Sequence, residues 1–138
     1  MIFVDSSAWF ALAFEGDRHN DAARRLFVNA REIALATTDH VLVETWLLMN
    51  SRFGHNRAEQ FCQRIRGLRL RLEKVTRDDL VAAWTIGSEF PDQTFSIVDR
   101  TSFVVMERLA VTRVISFDND FVIYRYGPQK DRTFEVLR

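Results

Sequence analysis

Disulfide chemistry is closed to this chain, because Cys62 is its only cysteine; a lone thiol also fits a reducing compartment. Two prolines and five glycines in 138 residues leave no room for a long linker, and no repeat or low-complexity segment interrupts the pattern. Charge of one sign is not in excess: 19 basic residues balance 19 acidic ones. That argues against sequence-blind coating of DNA, and it is silent about an enzyme that grips RNA locally. The longest apolar run, Ala8 to Phe14, is far below the ~20 residues that cross a bilayer. The first basic residue is Arg18 and Asp5 interrupts the early apolar residues, so neither half of an export signal is present. The expectation is a soluble, cytoplasmic protein with no membrane partner. His19, His40 and His55 have no paired-ligand spacing for zinc, and no glycine-rich phosphate loop occurs.

What is present is an alternation of apolar strands with amphipathic helices. "MIFV" at 1–4, "EIALAT" at 32–37, "RVIS" at 113–116 and "TFEVL" at 133–137 read as strands. "LRLRLEKV" at 68–75 alternates leucine with charge, as an edge strand with one wet face does. Helices are predicted over 6–14, 20–30, 38–53, 56–67, 76–90 and 95–109. Ser6 or Ser7 suits the first N-cap, and capping boxes stand at Thr76/Asp79 and Ser96/Asp99. Strands alternating with helices predict an α/β fold: one domain over 1–138, with a mainly parallel sheet covered on both faces.

In such a sheet, ligands bind beyond the carboxyl ends of the strands. Asp5 ends the first strand, and Asp118 follows the fourth by two residues. Glu44 lies in the second turn of a helix that follows a strand, with Val41, Leu47 and Leu48 as apolar neighbours on its face. Asp99 opens its helix three residues after Ser96 and heads a stripe with Phe103 and Met106, so it is either a cap or one wall of a site. Carboxylates ~4 Å apart repel by about 4 kcal/mol at an effective dielectric of 20, so several together require a cation or shifted pKa values. An all-oxygen donor set favours Mg²⁺ or Mn²⁺ where a substrate supplies phosphate oxygens. Hydrolysis of a nucleic acid is the chemistry this arrangement implies.

"IFVDSSAWFALAF", Glu44 in "HVLVETWLLMN", "FSIVDRTSFVVMERL" and "VISFDNDF" together resemble, in order and spacing, the four acidic motifs of the PIN-domain ribonucleases. They are most similar to the VapC-type toxins of toxin–antitoxin pairs. The resemblance implies an α/β/α sandwich and Mg²⁺-dependent endonucleolytic cleavage of RNA, either tRNA or rRNA. It also implies a VapB-type antitoxin partner and homodimerisation. Residue by residue, it assigns Asp5, Glu44, Asp99 and Asp118 to the acidic quartet, all four catalytic and metal-ligating, with Asp5 and Asp99 as the foremost metal ligands. Ser6 and Ser116 fall on supporting hydroxyl positions, and Asp120 is either a further acid of the site or a solvated turn residue. Arg64, Arg66, Arg69 and Arg71 are candidates for phosphate contacts, with solvated surface charge as the competing reading. Trp9 and Phe10 are candidates for an exposed antitoxin groove, whereas Trp46 and Trp84 read as core. The alternative from another class is a non-catalytic PIN-like module that binds RNA or protein.

Overall fold

The structure, a computed structural model, describes residues 1–138. In chain order the elements are β1 (Ile2–Val4), α1 (Ser6–Ala13), α2 (Asn20–Asn29), β2 (Leu35–Thr38), α3 (Asp39–Phe53) and α4 (His55–Arg66). They continue with β3 (Leu70–Glu73), α5 (Arg77–Glu89), α6 (Ile97–Arg108), β4 (Arg113–Ile115), α7 (Asp120–Ile123) and β5 (Glu135–Leu137). The strands form one sheet in the order β3-β2-β1-β4-β5, and every pairing is parallel. The chain lays strands outward from β1 to β3, then returns past β1 to add β4 and β5. The direction of winding therefore reverses between β1 and β4, where an open parallel sheet leaves a crevice at its carboxyl edge.

Burial explains the central strands. All of β1 and β2 is buried, as expected where helices cover both faces. The core joins Phe3, Val4, Trp9, Phe103, Val114 and Phe121. Four sequence expectations change. β2 begins at Leu35 rather than at residue 32, because Glu32 and Ile33 lie outside its pairing with β1. β3 is the predicted edge strand at the margin of the sheet, yet Leu72 is exposed rather than packed. Trp84 is not core: it stands 60% exposed on α5, whose buried residues are Asp79, Ala83 and Ile86. Trp46 is only partly buried, and its indole N–H donates to Glu59 Oε1 across the α3–α4 pair.

The two predicted capping boxes both form. Thr76 and Asp79 open α5, and Ser96 and Asp99 open α6, each with both reciprocal hydrogen bonds. In the first box, Arg108 donates through Nε and Nη2 to the two Asp79 carboxylate oxygens, each at 3.0 Å. Burial alone would raise the Asp79 pKa, but Arg108 and Thr76 outweigh it and hold the carboxyl below its ordinary value. A depressed carboxyl adds stability above its unfolded pKa, and that stability is lost as pH falls through the folded value. Replacing Arg108 with Ala strands a buried charge and should cost ~1–3 kcal/mol near pH 7. The cost should shrink at acid pH, where Asp79 is protonated; urea melts of both proteins at the two pH values read the difference.

Candidate active site

The parallel register between β1 and β4 builds the centre of the site. Val4 pairs with Ile115, and the Asp5 N–H donates to the Ile115 carbonyl, so Asp5 emerges beside Ser116. Asp5, not Ser6 or Ser7, is the N-cap of α1; its extended backbone lets the carboxylate turn back onto the helix start. Oδ2 accepts from the Ser7 hydroxyl at 2.6 Å, the Ser116 hydroxyl at 3.0 Å and the Ser7 N–H at 3.3 Å. Oδ1 meets only the Ser6 hydroxyl, at 3.5 Å. One oxygen is thus clamped and the other is nearly free. Burial raises the Asp5 pKa, against the pull of these donors.

Glu44 reaches the same place from α3. Its Oε2 accepts from Ser6 Oγ at 2.5 Å. Of the apolar neighbours predicted on its face, Val41 is buried but Leu47 and Leu48 are exposed, and α3 buries the stripe of Val41, Thr45 and Met49. Burial raises the Glu44 pKa first, and the charges of Asp5 and Asp118 raise it further, against the Ser6 bond.

Asp99 is both cap and wall. Its Oδ2 accepts from the Ser96 N–H at 2.8 Å and its own N–H donates to Ser96 Oγ at 3.0 Å. Burial, and then the charge of Asp5, nevertheless push its carboxyl up to about 7, despite the Ser96 bonds. Oxygens of Asp99, Asp118 and Asp120 lie within 4.8 Å of one another. Asp120, placed by sequence between two readings, therefore belongs to the tightest carboxylate cluster. Its pKa is raised by burial and by Asp118, while a hydrogen bond with Asp99 opposes the shift. Asp118 and Asp120 are set by the loop leaving β4: Asp118 N–H donates to Ser116 Oγ at 3.1 Å, and Asp120 N–H to Asp118 Oδ1 at 3.2 Å. The short α7, absent from the sequence reading, begins at Asp120 and fixes its direction.

Glu44, Asp99 and Asp118 line a cavity of about 600 Å³, together with Ser6, Ser7 and Ser96. No Lys or Arg forms an ion pair with any of the five acids. The donors are all oxygens and four of the acids have raised pKa values, so the residues fit a hard divalent cation. Two carboxylates 4.8 Å apart would otherwise repel by about 3–4 kcal/mol at an effective dielectric of 20.

Other expectations fall elsewhere. Trp9 is fully buried and packs against Phe27 with the ring planes tilted by 42°, so it cannot receive a partner; α2 packs over that side of α1. Phe10 is half-buried, in contact with Phe14 and Phe53 at the cavity wall. Arg64, Arg66, Arg69 and Arg71 are exposed and none lines the cavity. Arg69 and Arg71 stand at the start of β3, the opposite sheet edge from the acids, and Arg71 pairs with Glu73. The cation at the cavity is Arg18, which sequence reasoning missed, as it missed Ser7, His19 and Phe117. Only Ser7 carried a signal, in the doublet after Asp5.

The PIN-domain family model matches residues 2–126, a span that holds all five acids. This chain belongs to the PIN-domain family. The 23S rRNA-specific endonuclease VapC20 of Mycobacterium tuberculosis, from strains CDC 1551 / Oshkosh and ATCC 25618 / H37Rv, is 38% identical over 121 residues. That match covers 88% of this chain and 92% of VapC20. The crystal structure of M. tuberculosis VapC20, described as a sarcin–ricin loop cleaving toxin, superimposes with a TM-score of 0.83 at 36% identity, over 88% of this chain and 93% of the other. The five-stranded parallel sheet with its flanking helices is the PIN α/β/α architecture.

Proposed function

We propose that this PIN domain, residues 1–138 acting as one unit, is a Mg²⁺-dependent endoribonuclease and the toxin of a VapBC-type pair. Its substrate is 23S rRNA, cut in the sarcin–ricin loop, and the cut inhibits translation. The observation that carries the reading is the convergence of Asp5, Glu44, Asp99, Asp118 and Asp120 at the β1/β4 crevice with no cation paired to them. The similarity to VapC20 over 88% of the chain supports the choice of rRNA over tRNA. The complete set of acids speaks against a non-catalytic binding module.

Asp5, Asp99, Asp118 and Asp120 would hold the metal, Asp5 through Oδ1. When bound, Mg²⁺ or Mn²⁺ supplies a lowered water pKa and neutralises charge on the phosphodiester. The chain's own part is to fix the donors before the substrate arrives. Ser7 and Ser116 lock the Asp5 carboxylate, Ser96 locks Asp99, and Ser6 holds Glu44 by Oε2. Glu44 lines the cavity with its Oε1 in no hydrogen bond, and its raised pKa suits a group that takes a proton from an attacking water.

Purified protein incubated with a sarcin–ricin stem-loop should cut at one position with Mg²⁺ or Mn²⁺, stop with EDTA, and remain inactive with zinc alone. Full activity in metal-stripped buffer would sink the metal assignment. Expression without the partner should arrest bacterial growth, and co-expression of the antitoxin should relieve it. Apolar side chains for the antitoxin and for a homodimer are supplied by Val43 and Leu47 on α3 and by Val81 and Trp84 on α5, all exposed. No helix is long and apolar enough to cross a membrane.

A further inference from the structure

In the cavity that Glu44 lines, two aromatic rings from distant parts of the chain lie face to face. His19 and Phe117 have centroids 4.5 Å apart and planes 8° apart. Both line the cavity and both are only partly buried. A buried stack serves packing; this one faces the site. Beside it, Arg18 is exposed, and its one hydrogen bond runs from Nε to His19 Nε2 at 3.0 Å. Its terminal N–H groups have no protein acceptor, and it is the only Lys or Arg that lines the cavity.

The placement is built into the fold. Asn20 is buried, and its amide donates to the Ala11 carbonyl at 2.7 Å, tying the start of α2 to the end of α1. Between them, Asp17 Oδ1 accepts from the His19 N–H at 2.7 Å, which shapes the turn that presents Arg18 and His19. On the other side, the Phe117 N–H donates to Ser7 Oγ at 3.0 Å, the same hydroxyl that donates to Asp5 Oδ2. The stack is therefore held at a fixed distance from the innermost carboxylate.

Resting on the endoribonuclease reading, we propose that Arg18, His19 and Phe117 are the substrate-positioning wall of this site. An unpaired nucleobase next to the scissile phosphate stacks on the His19–Phe117 pair, and Arg18 contacts the adjoining phosphate. Loop RNA presents unstacked bases, and aromatic faces capture them. A phosphate entering a cavity lined by Asp17, Glu44, Asp99 and Asp118 also needs a cation, and Arg18 is the one present.

The test is steady-state cleavage, in Mg²⁺, of a sarcin–ricin stem-loop and of a set of stem-loops each lacking one loop base. Wild type is compared with His19→Ala, His19→Phe and Arg18→Ala. His19→Ala should raise KM roughly 5- to 100-fold, the range of one lost stacking contact. His19→Phe should restore it, and kcat should change less than about threefold in both. One base deletion should impair wild type and leave His19→Ala no worse. Arg18→Ala should raise KM on every substrate and reduce its salt dependence. Thermal melts identify variants that are simply less folded. Unchanged KM in a folded His19→Ala, or losses that add at every base position, would overturn the wall while leaving the ribonuclease reading intact. Wild type that cuts none of the stem-loops in Mg²⁺ or Mn²⁺ would overturn both.

Discussion

Asp99→Asn should abolish RNA cleavage and at the same time stabilise the metal-free protein at neutral pH. The Asp99 carboxyl is pushed from its ordinary value of 3.8 up to about 7, by burial first and then by Asp5. A carboxyl whose folded pKa is raised carries its full contribution to stability below the unfolded pKa, and loses it as pH rises through the folded value. Metal-free protein should therefore weaken between about pH 4 and pH 7, by an amount on the order of 2–4 kcal/mol. Asparagine carries no charge, and its side-chain oxygen still accepts from the Ser96 N–H, so the cap survives. The variant should melt several degrees above wild type at pH 7.5 without metal, and level with it at pH 4. Added Mg²⁺ stabilises wild type by binding the folded state, and the increment should be largely absent from the variant. Melting curves at both pH values, with and without Mg²⁺, read all three effects beside the cleavage assay. A variant that cuts RNA and keeps the wild-type Mg²⁺ shift would reduce Asp99 to a helix cap.

Trp9→Ala should be the most destabilising single substitution among the aromatic residues of α1. Trp9 is fully buried, and its ring centroid lies 5.0 Å from that of Phe27. Deleting a large buried ring costs ~3–5 kcal/mol, a large part of the ~5–15 kcal/mol that holds a domain together. A fall in Tm of roughly 10–20 °C should follow. Trp9→Phe keeps most of the contact and removes an indole N–H that has no acceptor, so its loss should be smaller. Trp84→Ala, at an exposed position, should shift Tm by no more than about 2 °C. If that substitution instead changes sedimentation or antitoxin binding, Trp84 belongs to an interface. Circular dichroism melts of the three variants separate core from surface directly.

The contrast between these tryptophans marks a limit of sequence reading. Residue type and helical period place both on apolar stripes, yet only packing says which stripe another element covers. α2 closes over Trp9, whereas nothing in the chain closes over Trp84. Leu47 and Leu48 beside Glu44 are the same case. His19 and Phe117 lie further still beyond reach, because no periodicity connects a turn after α1 with a turn after β4.

The alternation of strands with helices and the placing of Asp5, Glu44, Asp99 and Asp118 toward one sheet edge were legible, because local patterns and the direction of parallel crossovers fix them. The strand order β3-β2-β1-β4-β5, by contrast, came from the tertiary structure. The two capping boxes show what local pattern cannot decide. Thr76-x-x-Asp79 and Ser96-x-x-Asp99 make the same reciprocal bonds at the same helix position, and both acids are buried. Sequence by itself determined that each would cap its helix. Tertiary structure gave Asp79 the Arg108 guanidinium and gave Asp99 the neighbouring Asp5 and Asp120. The first carboxyl is held below its ordinary pKa and the second is driven above it. A capping bond is settled within one turn of helix, whereas the charge that faces a buried carboxylate comes from whichever element packs against it.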